Sequence, residues 1–129
     1  MEGSRPKVLL ADDGFDQRMI ASVLLRGSAW SVVVVNDGSE AVDRFRAEAY
    51  AAVLLDVHMP VLDGPGAAKR IREIEESEGR THTPLVGLSA MAPGQAQADL
   101  SAFDEVLPKP LERAKLLDCL ERVVKAGRA

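Results

Sequence analysis

The sequence has a single cysteine, no long hydrophobic run and no excess of basic residues, and each absence excludes a class of protein. Cys119 has no partner for an internal disulfide, so we expect a protein of a reducing compartment with this thiol in its core. No run approaches the roughly 20 apolar residues of a membrane span, and residues 1–6 lack the apolar centre of a signal peptide. We therefore expect a cytoplasmic protein that does not contact membranes directly.

The charge balance gives no electrostatic basis for direct nucleic-acid binding. The 129 residues include 16 Lys and Arg against 20 Asp and Glu, a net charge of −4, whereas domains that bind nucleic acids carry a basic patch. A chain of this length buries one core of ordinary size and is too short for two ordinary domains. We predict a single domain over residues 1–129, with its core between about residues 7 and 124.

Short apolar runs alternate with segments of helical period, which is the pattern of strands joined by crossover helices in a parallel sheet. Strands are predicted over residues 8–11, 30–35, 51–56, 83–88 and 103–107. Helices are predicted from residue 14 to about 26, from 38 to near 50, from 64 through 74, and from 111 to about 124. In the first helix the apolar residues at helical spacing are Phe15, Met19, Ile20, Val23 and Leu24. The fold class is therefore α/β.

Two segments depart from this alternation. Residues 72–79 are a run of charged residues, which we interpret as a solvated helix face and loop. After the fourth predicted strand, residues 91–94 interrupt the chain, and residues 95–101 offer only Leu100 as a sizeable apolar anchor. A short helix there would bury little and should be marginally stable.

Polar side chains stand at the ends of four predicted strands, which a parallel sheet brings to one edge. They are Asp12 and Asp13 after the first strand, Asp56 at the end of the third, Ser89 after the fourth and Lys109 after the fifth. Three neighbouring carboxylates resist ionising together unless a cation lies among them. Oxygen ligands without His or Cys favour Mg²⁺ or Mn²⁺. Such a site suits phosphoryl transfer, with one carboxylate as the nucleophile.

Each of these residues alone has an ordinary structural explanation. Asp12 or Asp13 can cap the first helix, while Asp56, Ser89 and Lys109 can be a turn former, a strand-end hydroxyl and a solvated charge. Their combination, in order at successive strand ends, favours a functional site.

Four motifs resemble those of the receiver domain of two-component response regulators. They are LADD at residues 10–13, LDVHMP at 55–60 with Asp63-Gly64, LSA at 88–90 and LPKP at 107–110. The likeness extends from about residue 7 to residue 124. It implies a doubly wound, five-stranded parallel sheet in the order 2-1-3-4-5, a flavodoxin-like sandwich of three layers. Residues 17–18 and 80–90 are similar to receivers of hybrid histidine kinases and phosphorelays.

The resemblance implies that Asp56 accepts a phosphoryl group from a phosphohistidine of a histidine kinase or a histidine phosphotransfer protein. Mg²⁺ would be held by Asp13, Asp56 and the backbone carbonyl of His58, with Asp12 acting largely through water. The aspartyl phosphate would then hydrolyse slowly, and a downstream protein partner would read the changed surface. Such a domain catalyses its own phosphorylation and dephosphorylation without a separate substrate, and its parent chain could be a hybrid histidine kinase or a stand-alone receiver.

Two further roles follow from the same resemblance. Lys109 would pair with the phosphoryl group, and Ser89 would swing to hydrogen-bond it. The peptide bond between Lys109 and Pro110 is expected to be cis.

Val106 and the weakly anchored helix expected near residues 95–101 support an alternative, a degenerate receiver that binds a partner without phosphorylation. The chain departs from the family pattern at two places. Val106 stands three residues before the lysine, where an aromatic ring is usual, and Ala102-Phe103 stands where a glycine is usual. Two other classes fit less well. An aspartyl phosphatase would need an Asp at His58, and the Asp12-Asp13 pair would repel a flavin phosphate. His58 and His82 are expected in loops, since neither has a partner at metal-ligand spacing.

Overall fold

The computed structural model describes residues 5–59, 61–90 and 99–128. The strands of this part of the chain are β1 (Lys7–Ala11), β2 (Ser31–Val35), β3 (Ala52–Asp56), β4 (Leu85–Ser89) and β5 (Glu105–Pro108). The helices are α1 (Phe15–Leu25), α2 (Gly38–Ala47), α3 (Gly64–Glu78) and α4 (Arg113–Arg128). The predicted marginal helix falls largely on residues 91–98, which lie outside the described residues.

All five strands are parallel and lie in the order β2-β1-β3-β4-β5. The predicted doubly wound α/β fold is therefore confirmed. Because the strand order reverses between β1 and β3, a crevice forms at the carboxyl ends of these two strands, where open sheets of this type bind ligands.

The sheet is covered on both faces, which gives the predicted three layers. Residues of α2 and α3 pack on one face, and residues of α1 and α4 pack on the other. The central strands β3 and β4 are buried along their whole length, as expected for parallel strands covered on both sides. Cys119 of α4 is buried as predicted, and burial raises the pKa of its thiol to about 12. The thiol is therefore unreactive at neutral pH.

Turn and cap residues hold the helix ends. The side chain of Asp37 accepts a hydrogen bond from the backbone N–H of Glu40 at 2.9 Å at the start of α2. Asp63 accepts one from Gly66 at 2.8 Å at the start of α3. Gly27, after α1, adopts a positive φ of 76°, a conformation that costs glycine little.

The apolar residues of α1 have helical spacing, but most of them face solvent. Ala21 and Leu25 are buried against the sheet, whereas Phe15, Met19 and Val23 are exposed. Periodicity therefore predicts the helix correctly, while a small alanine and one leucine make up its buried contact.

The run of charged residues at 72–79 is not solvated throughout, and our interpretation is wrong for two of its members. Glu75 is 6% exposed. Arg72 pairs with Glu75 at 2.8 Å and with Asp104 at 3.0 Å, and it donates to the carbonyl oxygens of Thr83 and Ala102 at 2.9 and 3.1 Å. Arg72 thus ties α3 to the segments that precede β4 and β5.

Three further contacts complete this network. Glu75 accepts a hydrogen bond from the backbone N–H of Thr83 at 2.6 Å, and Asp104 accepts one from Leu85 at 2.8 Å. His82, which lies in a loop as predicted, places Nε2 2.7 Å from Asp104 Oδ1. We call Arg72, Glu75, His82 and Asp104 the amino-end cluster, because it lies where β4 and β5 begin.

Candidate functional site

The sheet brings the predicted site residues together at its carboxyl edge. Asp12 directly follows β1, and Asp56 is the last residue of β3. One carboxylate oxygen from each of Asp12, Asp13 and Asp56 lies within 4.8 Å of the others. Lys109, just after β5, places Nζ 2.9 Å from Asp12 Oδ2 and 3.2 Å from Asp56 Oδ2. We call these four residues the acidic cleft.

Ser89 joins the cleft from β4. It is buried, and its carbonyl oxygen accepts a hydrogen bond from the backbone N–H of Lys109 at 2.9 Å. This bond holds the end of β5 and the start of the lysine loop next to β4. The Lys109–Pro110 peptide bond is cis, as expected.

Backbone contacts fix the two buried carboxylates of the cleft. Asp12 Oδ1 accepts a hydrogen bond from the N–H of Gly14 at 2.9 Å, and Asp56 Oδ1 accepts one from His58 at 3.2 Å. The N-cap residue of α1 is Gly14, so no side chain caps this helix at that position. Asp12 therefore does not serve as that cap, and its second oxygen faces Lys109.

The electrostatics of the cleft are unbalanced. Burial, and then the neighbouring Asp12 carboxylate, raise the pKa of Asp56 above its ordinary value, and Lys109 offsets only part of this. Burial by itself lowers the pKa of Lys109, but the hydrogen bond to Asp12 and the charge of Asp56 outweigh it, so the pKa is raised. One ammonium group against three carboxylates leaves a net negative charge that a divalent cation would compensate. The all-oxygen donor set fits Mg²⁺ or Mn²⁺.

Two glycines let the loops beside Asp56 approach each other closely. A Cβ atom on Gly64 would lie 2.4 Å from the carbonyl oxygen of Asp56, and one on Gly38 would lie 2.2 Å from that of Leu62. Real Cβ atoms do not come this close to backbone oxygens, so only glycine fits at either position. The loop between β3 and α3 also contains Val61 with a positive φ of 69°, which is unusual for a β-branched residue.

The observed bounds of β5 differ from the strand predicted over residues 103–107. Phe103 precedes β5 instead of belonging to it, and it packs against the core cluster. A Cβ atom on Gly87 of β4 would lie 3.5 Å from the Phe103 ring and 3.4 Å from Val106. Phe103 and Val106 therefore cover Gly87, and Val106 remains partly exposed.

Sequence reasoning did not assign a role to Arg18. Its guanidinium donates a hydrogen bond to the carbonyl oxygen of Asp12 at 2.8 Å, so it holds the main chain that carries two of the three carboxylates. Its signals in the sequence are its place five residues after Asp13 and the likeness of residues 17–18 to receivers of hybrid histidine kinases.

The fold and the site define an α/β domain with an acidic, lysine-containing cleft at the point where its strand order reverses. The chain belongs to the response regulator receiver domain family, whose profile matches residues 8–121. It is 38% identical over 119 residues to the sensory/regulatory protein RpfC of Xanthomonas campestris pv. campestris. This match covers 88% of this chain and 16% of RpfC. The chain thus spans about one sixth of the length of that relative.

Two solved structures are also similar. The receiver domain of the sensor histidine kinase PA1611 from Pseudomonas aeruginosa, with a magnesium ion in its active-site cleft, matches with a TM-score of 0.85 at 31% identity. That match covers 95% of this chain and 99% of the other. The receiver domain of Ssk1 from Saccharomyces cerevisiae, in complex with the histidine phosphotransfer protein Ypd1, matches with a TM-score of 0.83 at 26% identity, covering 94% and 90%.

These findings identify the chain as a receiver domain of two-component or phosphorelay signalling. Among the described residues, none of the helices is both long and apolar enough to cross a membrane.

Proposed function

We propose that the chain is a phosphoaccepting receiver in which Asp56 takes a phosphoryl group from a phosphohistidine. The observation that carries this proposal is the position of Asp56. Its carboxylate is buried beside Asp12 and Asp13, and Lys109 Nζ lies 3.2 Å from Asp56 Oδ2. A carboxylate in this setting is a positioned nucleophile whose charge only one ammonium group offsets.

In the proposed reaction an Asp56 oxygen attacks phosphorus, and the phosphorus–nitrogen bond of the phosphohistidine breaks. The electron pair of that bond returns to the imidazole nitrogen, which takes up a proton from solvent. Lys109 pairs with the phosphoryl oxygens, and Ser89 hydrogen-bonds one of them. Slow attack by water on phosphorus later releases phosphate and restores Asp56.

Asp13, Asp56 and the backbone carbonyl of His58 would hold Mg²⁺, with Asp12 acting largely through water. The ion would neutralise charge on the phosphoryl oxygens when bound. The magnesium ion in the PA1611 receiver supports this assignment, and the same oxygen donors suit Mn²⁺. The donor set of the cleft is independent support, because its carboxylates exceed its cations.

The proposed donor is a histidine kinase or a histidine phosphotransfer protein, and the proposed recipient of the signal is a downstream protein partner. The Ssk1 receiver forms a complex with a histidine phosphotransfer protein, and two further relatives are a sensor histidine kinase, GacS, and a sensor kinase/phosphatase, LuxN. A cytoplasmic location remains a prediction.

Phosphorylation by a small-molecule donor tests the proposal without a cognate kinase. The wild-type chain, incubated with phosphoramidate and Mg²⁺, should gain one acid-stable, base-labile phosphoryl group, measured by intact mass spectrometry. Asp56→Asn should gain none, and chelation of Mg²⁺ should abolish uptake by the wild type. Asp118→Asn, at an exposed aspartate of α4, is the matched control and should behave like the wild type. Uptake by Asp56→Asn at the wild-type rate would show the assignment to be wrong.

The alternative is a degenerate receiver that acts as a phosphorylation-independent interaction module, and the observation in its favour is the partly exposed Val106 in place of an aromatic ring. The assembled cleft of Asp12, Asp13, Asp56 and Lys109 argues against it. Titration calorimetry with Mg²⁺ and beryllofluoride distinguishes the two. Uptake of beryllofluoride that Asp56→Asn abolishes supports phosphoacceptance, and no uptake by the wild type supports the degenerate module.

A further inference from the structure

Arg18 is a cation at a position where helix stability alone does not favour one. It is the fourth residue of α1, close to the helix end at which the dipole favours negative charge. The side chain is partly buried, and its guanidinium donates a hydrogen bond to the carbonyl oxygen of Asp12 at 2.8 Å. This contact leads out of the helix and into the main chain of the acidic cleft.

The oxygen that Arg18 contacts belongs to the peptide group between Asp12 and Asp13. A peptide group is planar, so a hydrogen bond to its oxygen restrains rotation about the single bonds on either side of it. These rotations set the direction in which the Asp13 side chain leaves the main chain. Arg18 therefore restrains the geometry of the acidic pair through the backbone.

Asp13 is the carboxylate of the cleft with the least support of its own. Asp12 and Asp56 each accept a backbone hydrogen bond and lie within 3.2 Å of Lys109 Nζ. The Asp13 side chain is exposed, and it makes no hydrogen bond or ion pair with any other residue that the structure describes. Its direction therefore depends on the main chain that Arg18 holds.

Two effects of Arg18 on a cation in the cleft oppose each other. Its positive charge repels the ion, whereas its hydrogen bond keeps Asp13 in place and reduces the cost of ordering this ligand. Solvent and salt screen the charge, because Asp13 is exposed and Arg18 is only partly buried. The hydrogen bond acts directly on the peptide group, so the effect on geometry should be the larger.

We propose that Arg18 is a positioning residue of the Mg²⁺ site, which acts through the Asp12 carbonyl to hold the Asp13 carboxylate in the direction that binds the ion. This inference rests on the proposed function, because Asp13 is a ligand only if the cleft binds Mg²⁺. Arg18 acts only through the main chain and is not itself a ligand. Removing a group that orients a metal ligand typically weakens metal binding by about 10- to 100-fold.

Arg18→Met tests this inference, because it keeps an unbranched side chain beside Phe15 and removes the hydrogen bond to Asp12. Titration calorimetry with Mg²⁺ alone, without a phosphoryl donor, should show binding at least about tenfold weaker than in the wild type. Arg26→Met is the matched control, since it removes the same charge from the exposed residue that follows α1. Its affinity for Mg²⁺ should not fall.

Phosphorylation by phosphoramidate gives a second readout. At Mg²⁺ concentrations well below saturation, Arg18→Met should be phosphorylated about tenfold more slowly than the wild type, in proportion to the ion that it binds. At saturating Mg²⁺ the two rates should be equal, because Asp56 and Lys109 are unchanged.

A conservative variant keeps the inference testable if Arg18→Met does not fold, which its amide spectrum in chelator would show. Arg18→Lys retains the charge but replaces the planar donor fork with a point charge. It should bind Mg²⁺ more weakly than the wild type and more tightly than a folded Arg18→Met.

Equal or tighter binding of Mg²⁺ by Arg18→Met would overturn the inference, because the charge would then outweigh positioning. Lower stability of Arg18→Met in chelator with an unchanged affinity for Mg²⁺ would also overturn it and would assign Arg18 to the fold alone. An equal loss of affinity in Arg26→Met would do the same. A wild-type chain that binds no Mg²⁺ would contradict the proposed function and this inference with it. Mg²⁺-dependent phosphorylation of Asp56 that Arg18→Met leaves unchanged at every Mg²⁺ concentration would overturn this inference alone.

Discussion

The acidic cleft and the amino-end cluster lie at opposite ends of the same sheet, and each places at least one buried carboxylate beside a cationic side chain. In the amino-end cluster, burial alone would raise the pKa of Asp104, but the Leu85 N–H, His82 and Arg72 outweigh it, so the pKa lies below its usual range. In the acidic cleft the pKa of Asp56 is raised by burial and by Asp12. The carboxylates of the amino-end cluster are paired with donors and cations of the folded chain, whereas the acidic cleft holds one ammonium group against three carboxylates.

The difference indicates that the two ends serve different purposes. Hydrogen bonds from Arg72 to the carbonyl oxygens of Thr83 and Ala102, together with its two ion pairs, join α3 to the start of β4 and β5. The cleft instead keeps like charges together at a cost in stability, as expected where a site is arranged for binding and chemistry.

The largest effect is expected from removing the cation of the amino-end cluster. Arg72→Leu leaves the buried carboxylate of Glu75 without its cation and removes a donor from two backbone carbonyl oxygens, so the free energy of unfolding should fall by about 3–5 kcal/mol. Urea denaturation measures the change. Arg122→Leu removes an arginine that is paired with Glu105 and Asp118 at the surface, and as a matched control it should have a much smaller effect. Equal effects of the two changes would show that the cluster does not stabilise the fold.

Supplying a cation to the cleft should give the next largest effect. If Mg²⁺ binds as proposed, a concentration of 100 times its dissociation constant should raise the free energy of unfolding by about 2.7 kcal/mol. Thermal unfolding with and without Mg²⁺ measures this, and Asp56→Asn should lose most of the response. Arg122→Leu should keep it. A melting temperature of the wild type that does not depend on Mg²⁺ would contradict the proposed metal site.

A smaller loss is expected when Asp104 is replaced by Asn at neutral pH, by about 2 kcal/mol, because an amide cannot replace a charged acceptor of three donors. The pKa of Asp104 is lowered in the folded chain. The stability it contributes is therefore present above its unfolded pKa and is lost as the pH falls through its folded pKa. Urea denaturation from neutral to acidic pH should show the two chains converging. A difference that does not depend on pH would mean that the charge of Asp104 is not responsible.

The smallest change has the opposite sign. Without metal, Asp56→Asn should raise the free energy of unfolding by about 1 kcal/mol, since it removes a carboxylate that burial and Asp12 both disfavour. Because the folded pKa of Asp56 is raised, the penalty in the wild type is complete above that pKa. It disappears as the pH falls to the unfolded value, so the gain should vanish in acid. Thermal unfolding of both chains in the presence of a chelator, from neutral to acidic pH, measures this gain. A loss of stability of Asp56→Asn at neutral pH would show that the cleft does not reduce the stability of the fold.

The sequence predicts the cleft well and the amino-end cluster hardly at all, for a physical reason. Asp12, Asp56 and Lys109 stand at the ends of apolar runs, and a parallel sheet brings such ends together whatever the intervening segments do. Arg72 and Asp104 are 32 residues apart, and neither stands at a strand's carboxyl end. Only the packing of α3 against the loops before β4 and β5 makes them neighbours.

The outward face of α1 illustrates a second limit. The spacing of Phe15, Met19 and Val23 predicts a helix with an apolar side, and the helix is present. Periodicity does not state whether that side meets the sheet or solvent, because Ala21 and Leu25 are also apolar and occupy the buried side. Strand bounds shift for a similar reason, as when Phe103 packs beside Gly87 instead of extending β5.

The close approach of Gly64 to the Asp56 carbonyl has a consequence for any survey of substitutions in this domain. Any side chain at Gly64 would clash with the backbone of Asp56. A screen for signalling output should therefore find no tolerated replacement at either Gly64 or Asp56. We expect the two failures to differ in kind: a chain altered at Asp56 should keep its fold, whereas one altered at Gly64 should be destabilised. Measuring abundance alongside output would separate the chemistry of the domain from its architecture.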